Sequence, residues 1–562
     1  MKRWLFSIVV IVVPIAALSI VVGAHVSQPA ARFEIIEATI PGIQDALRRG
    51  DLTSRELVDM YLARIERYEP LLNAVISINP RARSEAETLD AERAMGFVRG
   101  PLHGIPIAIK DNINTTGMPT TAGALSFQDY TPPYDATLVT HLHRAGAIII
   151  AKTVMTEFAN FMSFNMPANY SAVGGYGMNP YDPRPDPRAG NNDGRPALTP
   201  GGSSSGIGTA ANLWVANVGT ETNGSILSPS VQNMLVGIKP TVGLISRYGI
   251  LPLTADQDTA GPLARTVTDA AILLGAMTGP DPRDSPIGTH ACGVIQDYTS
   301  FLRRAGLQGA RIGIPRANFY NPIVGPDGVT RGGLNAAQQA VMNEAIQILR
   351  QEGAVLVDPA DIPSIVDGTP ANNLLLFPSC TARAANCSLV SYYGFKRDFA
   401  AYLASLGSTA PVRSLTEDRQ FNIDNASRNS MRYGQERLDL ADQMDLVADR
   451  ARYEADLAKN IYLTSTHGMG EVMQRNNLDA LVIPGSSGAG LAALPGHPTV
   501  VVPFGQIPNA PTNPPFPAGF DARPAPYGVS FTSMPCTEGR LIEMAYAFEQ
   551  ATKRRVPPPS TP

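Results

Sequence analysis

The sequence predicts an α/β fold, and three observations carry that expectation. Apolar strand-like runs at 105–109 and 147–152 flank a helix-patterned segment at 138–145, the alternation that builds a sheet with crossover helices. The 562 residues, 44% of them hydrophobic, are enough for a large core. Fifty glycines and 48 prolines, with only 17% charged residues, argue for many ordered loops rather than a helical bundle. The net charge is −4 with no basic block, so nothing in the composition points to nucleic acid.

In chain order, Lys2 and Arg3 precede an apolar segment, 4–24, interrupted by Pro14. That is a positive n-region followed by an h-region, long enough almost to span a bilayer. Residues 1–24 are therefore read as an export signal cleaved near Ala24, with a retained membrane anchor as the alternative. Either way the globular part is expected outside the cytoplasm, periplasmic or secreted, touching membrane only through an uncleaved N-terminus. Residues 25–40 are expected as a linker, 41–556 as the folded domain and 557–562 as a proline-rich tail.

Thr53 and Glu56 form a capping box, and Leu57, Tyr61, Ile65 and Tyr68 continue at helical spacing. A strand is expected at 72–79, a helix at 81–95, a buried strand at 105–109 and a helix at 138–145 stopped by Gly146. The strand at 147–152 ends in Lys152. The Gly/Pro/Asn/Asp-rich stretch 174–199 reads as a long ordered loop. Beyond it come a strand at 310–315, a helix at 335–351 with Gly353 past its end, and a strand at 354–357. Residues 360–475 are expected to be helical and to cover a cleft. Strands at 479–484, 499–503 and 527–531 and a closing helix at 540–552 complete the chain.

Four cysteines occur: Cys292, Cys380, Cys387 and Cys536. Cys380 and Cys387 are near enough to bridge a loop, and buried free thiols remain an equal reading. The spacing fits no zinc pattern and HExxH is absent, so no metal is expected.

The densest chemistry lies at 199–243. Two serine-bearing loops, Gly201-Gly202-Ser203-Ser204-Ser205-Gly206 and Gly219-Thr220-Glu221-Thr222-Asn223-Gly224-Ser225, bracket a small-residue segment suited to a helix at 209–213 and an apolar run at 214–218. Glycines let backbone approach a hydroxyl closely, and successive N–H groups in such a turn can form an anion site. That is the outline of a nucleophile beside an oxyanion hole. A flexible linker is the plain reading of one Gly/Ser cluster, but it gives no reason for two of them set about twenty residues apart.

The stretch resembles the signature of the amidase signature family of serine hydrolases. Gly104-Ile105-Pro106-Ile107-Ala108-Ile109-Lys110-Asp111-Asn112 matches, as do Gly237-Ile238-Lys239-Pro240-Thr241-Val242-Gly243 and Asp258-Thr259-Ala260-Gly261-Pro262. The resemblance runs over about 35–555 and is densest over 100–280. It implies a large mixed twisted β-sheet flanked by helices on both faces, and hydrolysis of a carboxylic or peptide amide to acid and ammonia or amine without a cofactor. It also implies a Ser–cisSer–Lys triad. Ser225 would be the nucleophile, Ser203 the bridging serine with a cis peptide bond, and Lys110 the base. The backbone N–H groups of Thr222, Asn223, Gly224 and Ser225 would surround the oxyanion. Lysine must be neutral to accept a proton, and desolvation at the end of an apolar strand pushes that way. Lys152 is read as a structural counterpart.

Asn223 and Leu227 stand where many family members have Gly and Arg, Glu221 stands where Asp is common, and the Ser203–Ser225 spacing is about two residues short, which leaves Ser204 as the fallback bridging serine. The Gly-Thr-Glu variant with Ile245-Ser246-Arg247 is similar to the branch that holds bacterial peptide amidases. Two other readings compete. Gly202-Ser203-Ser204-Ser205-Gly206 formally matches G-x-S-x-G, which would make Ser204 the nucleophile of an α/β-hydrolase-like esterase with His467 or His497 as base. Pro196 and Pro200 oppose the strand such an elbow needs. The other is a non-catalytic binding protein on the same scaffold, which the filled triad positions disfavour.

Overall fold

A computed structural model describes residues 1, 4–5, 7–11, 33–203, 206–284 and 292–562. The expected signal or anchor at 1–24, and Ser204 and Ser205, lie largely or wholly outside the described residues. No helix among the described residues is long and apolar enough to cross a membrane.

Eleven strands form one sheet. In chain order they are β1 (Val75–Ile78), β2 (Pro106–Lys110), β3 (Ile148–Thr153), β4 (Ala216–Glu221), β5 (Val236–Lys239), β6 (Thr259–Ala264), β7 (Arg311–Gly313), β8 (Val355–Val357), β9 (Ala480–Pro484), β10 (Thr499–Ile507) and β11 (Ala525–Thr532). Their order across the sheet is β1-β3-β2-β4-β6-β5-β10-β11-β9-β7-β8. β3, β2 and β4 run parallel, as do β9, β7 and β8, while the strands between are antiparallel. The sheet is mixed, as expected. β2, β3, β4 and β6 are buried along their whole length, which for β2 and β3 explains why they read as continuous apolar runs rather than alternations.

Helices flank the sheet. The capping box appears as expected on the helix Ser54–Leu72, with Thr53 and Glu56 bonded reciprocally. A second box, Asn335 with Gln338, starts the helix Ala336–Gln351. Two helices that the sequence reading left out, Ile40–Arg49 and Val267–Met277, bury apolar faces in the main core. Region 360–475 is mostly helical, and much of it closes a second apolar cluster through Val390–Leu406 and its neighbours.

Three local expectations are corrected. The small-residue segment after the first serine loop makes one turn, Ile207–Ala210, rather than a helix at 209–213. Asn212 adopts φ +57 there, and Arg265 takes the Thr209 and Trp214 carbonyls at 3.1 and 2.9 Å, so a side chain replaces the missing helical donors. The end of the expected linker belongs to the fold: Ile35 and Ile40 are buried and Glu37 pairs with Arg555 at 2.7 Å. The proline-rich tail is also docked, with Tyr68 donating to the Pro562 carbonyl at 2.8 Å. The cysteines pair as Cys292–Cys536 and Cys380–Cys387. The second bridge had been left open by sequence, and the first joins positions 244 apart that no spacing rule could connect.

Candidate active site

The register of the parallel strands builds the site. Ala108 and Ile109 of β2 face Asn217 and Val218 of β4, so Lys110 and Thr220 come together near the carboxyl ends of the two strands. Crevices beyond those ends are where α/β sheets place their ligands. Lys110 is fully buried. Its Nζ donates to Thr220 Oγ1 at 2.8 Å and to the Thr220 carbonyl at 3.1 Å. Asn112 Nδ2 donates to the same hydroxyl at 3.2 Å and to the Leu251 carbonyl at 3.0 Å. Burial pushes the ammonium down to about 7, with the Asp258 and Glu221 carboxylates pulling the other way.

β4 then runs into the second serine loop. Glu221 Oε2 accepts from the Ile226 and Leu227 N–H groups at 2.7 and 2.9 Å, which fixes the entry to the short helix Leu227–Gln232. Gly224 adopts φ +85, the left-handed conformation that a side chain resists. Ser225, 7% exposed, sits on this turn. The N–H groups of Thr222, Asn223, Gly224 and Ser225 donate to no acceptor among the described residues, so the turn presents a set of unspent donors.

The first serine loop lies against it. Gly201, with φ +85, and Gly202 offer their carbonyls to Asn169 Nδ2 at 2.6 and 2.7 Å. Gly202 N–H donates to Ser228 Oγ at 3.2 Å. A Cβ on Gly202 would stand 3.1 Å from Ser225 Cα, so the close approach of the two loops requires glycine there. Ser203 is 1% exposed. The structure thus packs the Ser203 loop on the Ser225 turn and sets Lys110 on Thr220, five residues before Ser225. It does not join the three side chains by hydrogen bonds: the described donors of Lys110 go to Thr220. The Gly202–Ser203 bond is not cis; the cis bonds among the described residues are Asp358–Pro359 and Asn513–Pro514. The bond that follows Ser203 leads into an undescribed residue.

Two other lysines are fully buried nearby in the sheet. Lys152 stands 3.5 Å from Asp111, itself fully buried, and donates to Thr120 Oγ1 at 2.8 Å. Burial pushes Lys152 down to about 8 and Asp111 up, each drawn back by the other. Lys239 donates to the His497 carbonyl at 2.7 Å. Neither histidine considered for the elbow reading belongs to the serine loops by its described partners. His467 is held by Glu471 and Asp367 at 2.9 and 3.0 Å, and His497 Nε2 lies 3.4 Å from Ser465 Oγ.

A cavity of about 270 Å³ lies beside the Thr220–Thr222 end of the second serine loop, lined by Asn112, Thr220, Thr222, Asp258, Tyr248 and Tyr402 among others but not by Lys110, Ser203 or Ser225. Sequence reasoning gave no role to Thr220, Asn112, Asn169 or Asp258. Asp258 lay inside a quoted motif, and the Asn112 position closed another, so the motifs held the signal. The contacts did not follow from them, because each pairs residues about 30 to 140 positions apart.

A family model described as Amidase matches residues 56–542. A probable amidase of Arabidopsis thaliana is 35% identical over 536 residues, covering 94% of this chain and 92% of the plant protein. The crystal structure of a native peptide amidase from Stenotrophomonas maltophilia superposes with a TM-score of 0.78 at 35% identity, over 94% of this chain and 99% of that one. An amidase family protein of Bacillus anthracis gives 0.76 at 32% identity, over 93% and 92%.

Proposed function

This chain belongs to the amidase family and hydrolyses amides, and from that premise we propose that Ser225 is its nucleophile, Ser203 the bridging hydroxyl and Lys110 the base. The observation that carries this assignment is the lysine: a fully buried amine at a parallel strand end, pushed down to about 7 and bonded to a hydroxyl and a carbonyl rather than to a carboxylate. A group so placed is partly neutral near pH 7 and can take up a proton.

In the first half-reaction Lys110 accepts the proton of Ser225 through Ser203. Ser225 Oγ bonds to the carbonyl carbon, and the carbonyl oxygen takes the negative charge. The N–H groups of Thr222, Asn223, Gly224 and Ser225 point their dipoles to that oxygen. Collapse breaks the C–N bond, and the proton returns through Ser203 to the leaving nitrogen, leaving an ester on Ser225. Water repeats the path, giving the carboxylic acid and free Ser225.

The substrate class proposed is a C-terminal peptide amide. The similarity to the Stenotrophomonas peptide amidase supports it. Export is proposed on the basic and apolar N-terminal pattern together with two disulfides, which persist in oxidising compartments. The test is ammonia release from a dipeptide amide, an aryl amide and a long-chain fatty amide at equal concentration. The reading expects the highest kcat/KM for the peptide amide. A fatty amide turned over tenfold faster would overturn the substrate class.

A further inference from the structure

We propose that Asp258 is a positioning residue for this reaction: it locks Thr222 at the head of the Ser225 turn and supplies the counter-charge for Lys110 while the lysine holds the serine proton. The inference rests on the triad assignment above and adds a residue to it.

The geometry is specific. Asp258 is buried at the entry to β6, and both carboxylate oxygens are committed. Oδ1 accepts from Thr222 Oγ1 at 2.5 Å, and Oδ2 accepts from the Leu253 and Thr254 N–H groups at 2.8 and 3.0 Å. Thr222 is the first residue of the turn that ends in Ser225, so this one bond fixes where the oxyanion donors begin.

The same carboxylate lies close enough to Lys110 to be the strongest influence drawing its ammonium back up. The groups facing the pair are few. Lys110 feels Asp258 and Glu221, and Asp258 feels Asp398 and Arg247. Glu221 is already bonded to two N–H groups of the following helix, and Arg247 is paired with Asp284 at 2.9 Å. Burial pushes Asp258 up to about 7, beside a lysine brought down to about 7, so the two titrate as a pair.

Asp258 also connects the site to the helical region above it. Its two backbone donors belong to the segment 253–258, on which that region rests. A Cβ on Gly394 would stand 2.2 Å from Thr254 Oγ1, Asp398 Oδ2 accepts from the Ala255 N–H at 2.7 Å, and Arg397 reaches Asp256 at 3.2 Å. Helix Val390–Leu406 therefore sets the loop, the loop sets Asp258, and Asp258 sets the turn.

The experiment measures kcat and KM on a peptide amide from pH 5.5 to 9 for wild type, Asp258→Asn, Asp258→Glu, Thr222→Val and Lys110→Met, with a melting curve for each. Asp258→Asn removes the charge that favours protonated Lys110. The acid limb of kcat then moves to lower pH by roughly 1 unit, while kcat at its plateau falls about tenfold and KM stays within about twofold of wild type. Asp258→Glu keeps the limb where it is. Thr222→Val lowers kcat without moving the limb. A folded Asp258→Asn with an unmoved limb, or a loss expressed wholly in KM, overturns the proposal. If Asp258→Asn does not fold, undiminished kcat in Thr222→Val or a shifted limb in Asp258→Glu overturns it instead. Activity surviving in Lys110→Met overturns the triad assignment itself, whereas a dead, folded Lys110→Met with an unmoved Asp258→Asn limb sinks this inference alone.

Discussion

Two neighbouring strands of one sheet carry buried lysines at or beside their carboxyl ends, and these are built for different work. β2 and β3 run parallel, and Lys110 and Lys152 are both fully buried. Lys152 has the buried carboxylate of Asp111 within 3.5 Å. Among the described residues Lys110 donates to the hydroxyl and carbonyl of Thr220, with its carboxylates standing back as second neighbours. A cation that sits on its counter-ion gives up its proton less readily, since neutralising it would strand the partner. A cation whose direct partners are dipoles can lose its proton at more modest cost, which is the property a base requires. The difference teaches that burial makes a lysine unusual, and its partner decides whether it is structural or reactive.

The comparison can be broken most sharply by removing each amine. Lys110→Met is expected to lower kcat/KM at least about 1000-fold, the scale for losing a base that activates its nucleophile, with a melting temperature within a few degrees of wild type. Lys152→Met should do the reverse. Stranding Asp111 costs about 3–5 kcal/mol, seen as a large drop in melting temperature, while the fraction that remains folded keeps its turnover. Equal thermal losses in the two variants would erase the distinction.

A gentler probe is pH. Reaction needs neutral Lys110, whose ammonium is brought down to about 7 by burial. The sign follows: kcat/KM should fall about tenfold per pH unit below 7 as the lysine protonates, and level off above it. A limb centred near the ordinary lysine range of about 10 would mean that the amine is not held as described.

The smallest effects concern regions away from the lysines. In the chain-entropy view the Cys292–Cys536 bridge, closing 244 positions, is worth about 5 kcal/mol, and Cys380–Cys387, closing seven, about 2–3. Paired serine substitutions should therefore lower the melting temperature more at the first bridge than at the second. The opposite order would show that the helical region depends on its small loop more than the body depends on its long one.

The sequence made the body more legible than the helical cover, for physical reasons. β2 and β3 are buried on both faces, so their apolar runs and the lysines at or beside their ends stand out. The two serine loops announce themselves through glycines that their backbones require. The pairing of Lys110 with Thr220, or of Asp258 with Thr222, is a matter of strand register, and register is decided by the whole sheet. The one-turn Ile207–Ala210 segment misled for a similar reason: its small residues suit a helix, but the chain turns at Asn212 with φ +57, and Arg265, distant in sequence, bonds the Thr209 and Trp214 carbonyls on either side. In 360–475 the helices are capped irregularly and pack on each other more than on the sheet, so only their helical character could be read beforehand.

The most direct measurement of the central claim is covalent labelling of the full chain with a fluorophosphonate, followed by peptide mass spectrometry. The account predicts label on Ser225, lost in Lys110→Ala and retained in His467→Ala and His497→Ala. Label on Ser204 that disappears with either histidine would contradict it and assign the chemistry to a different serine and base.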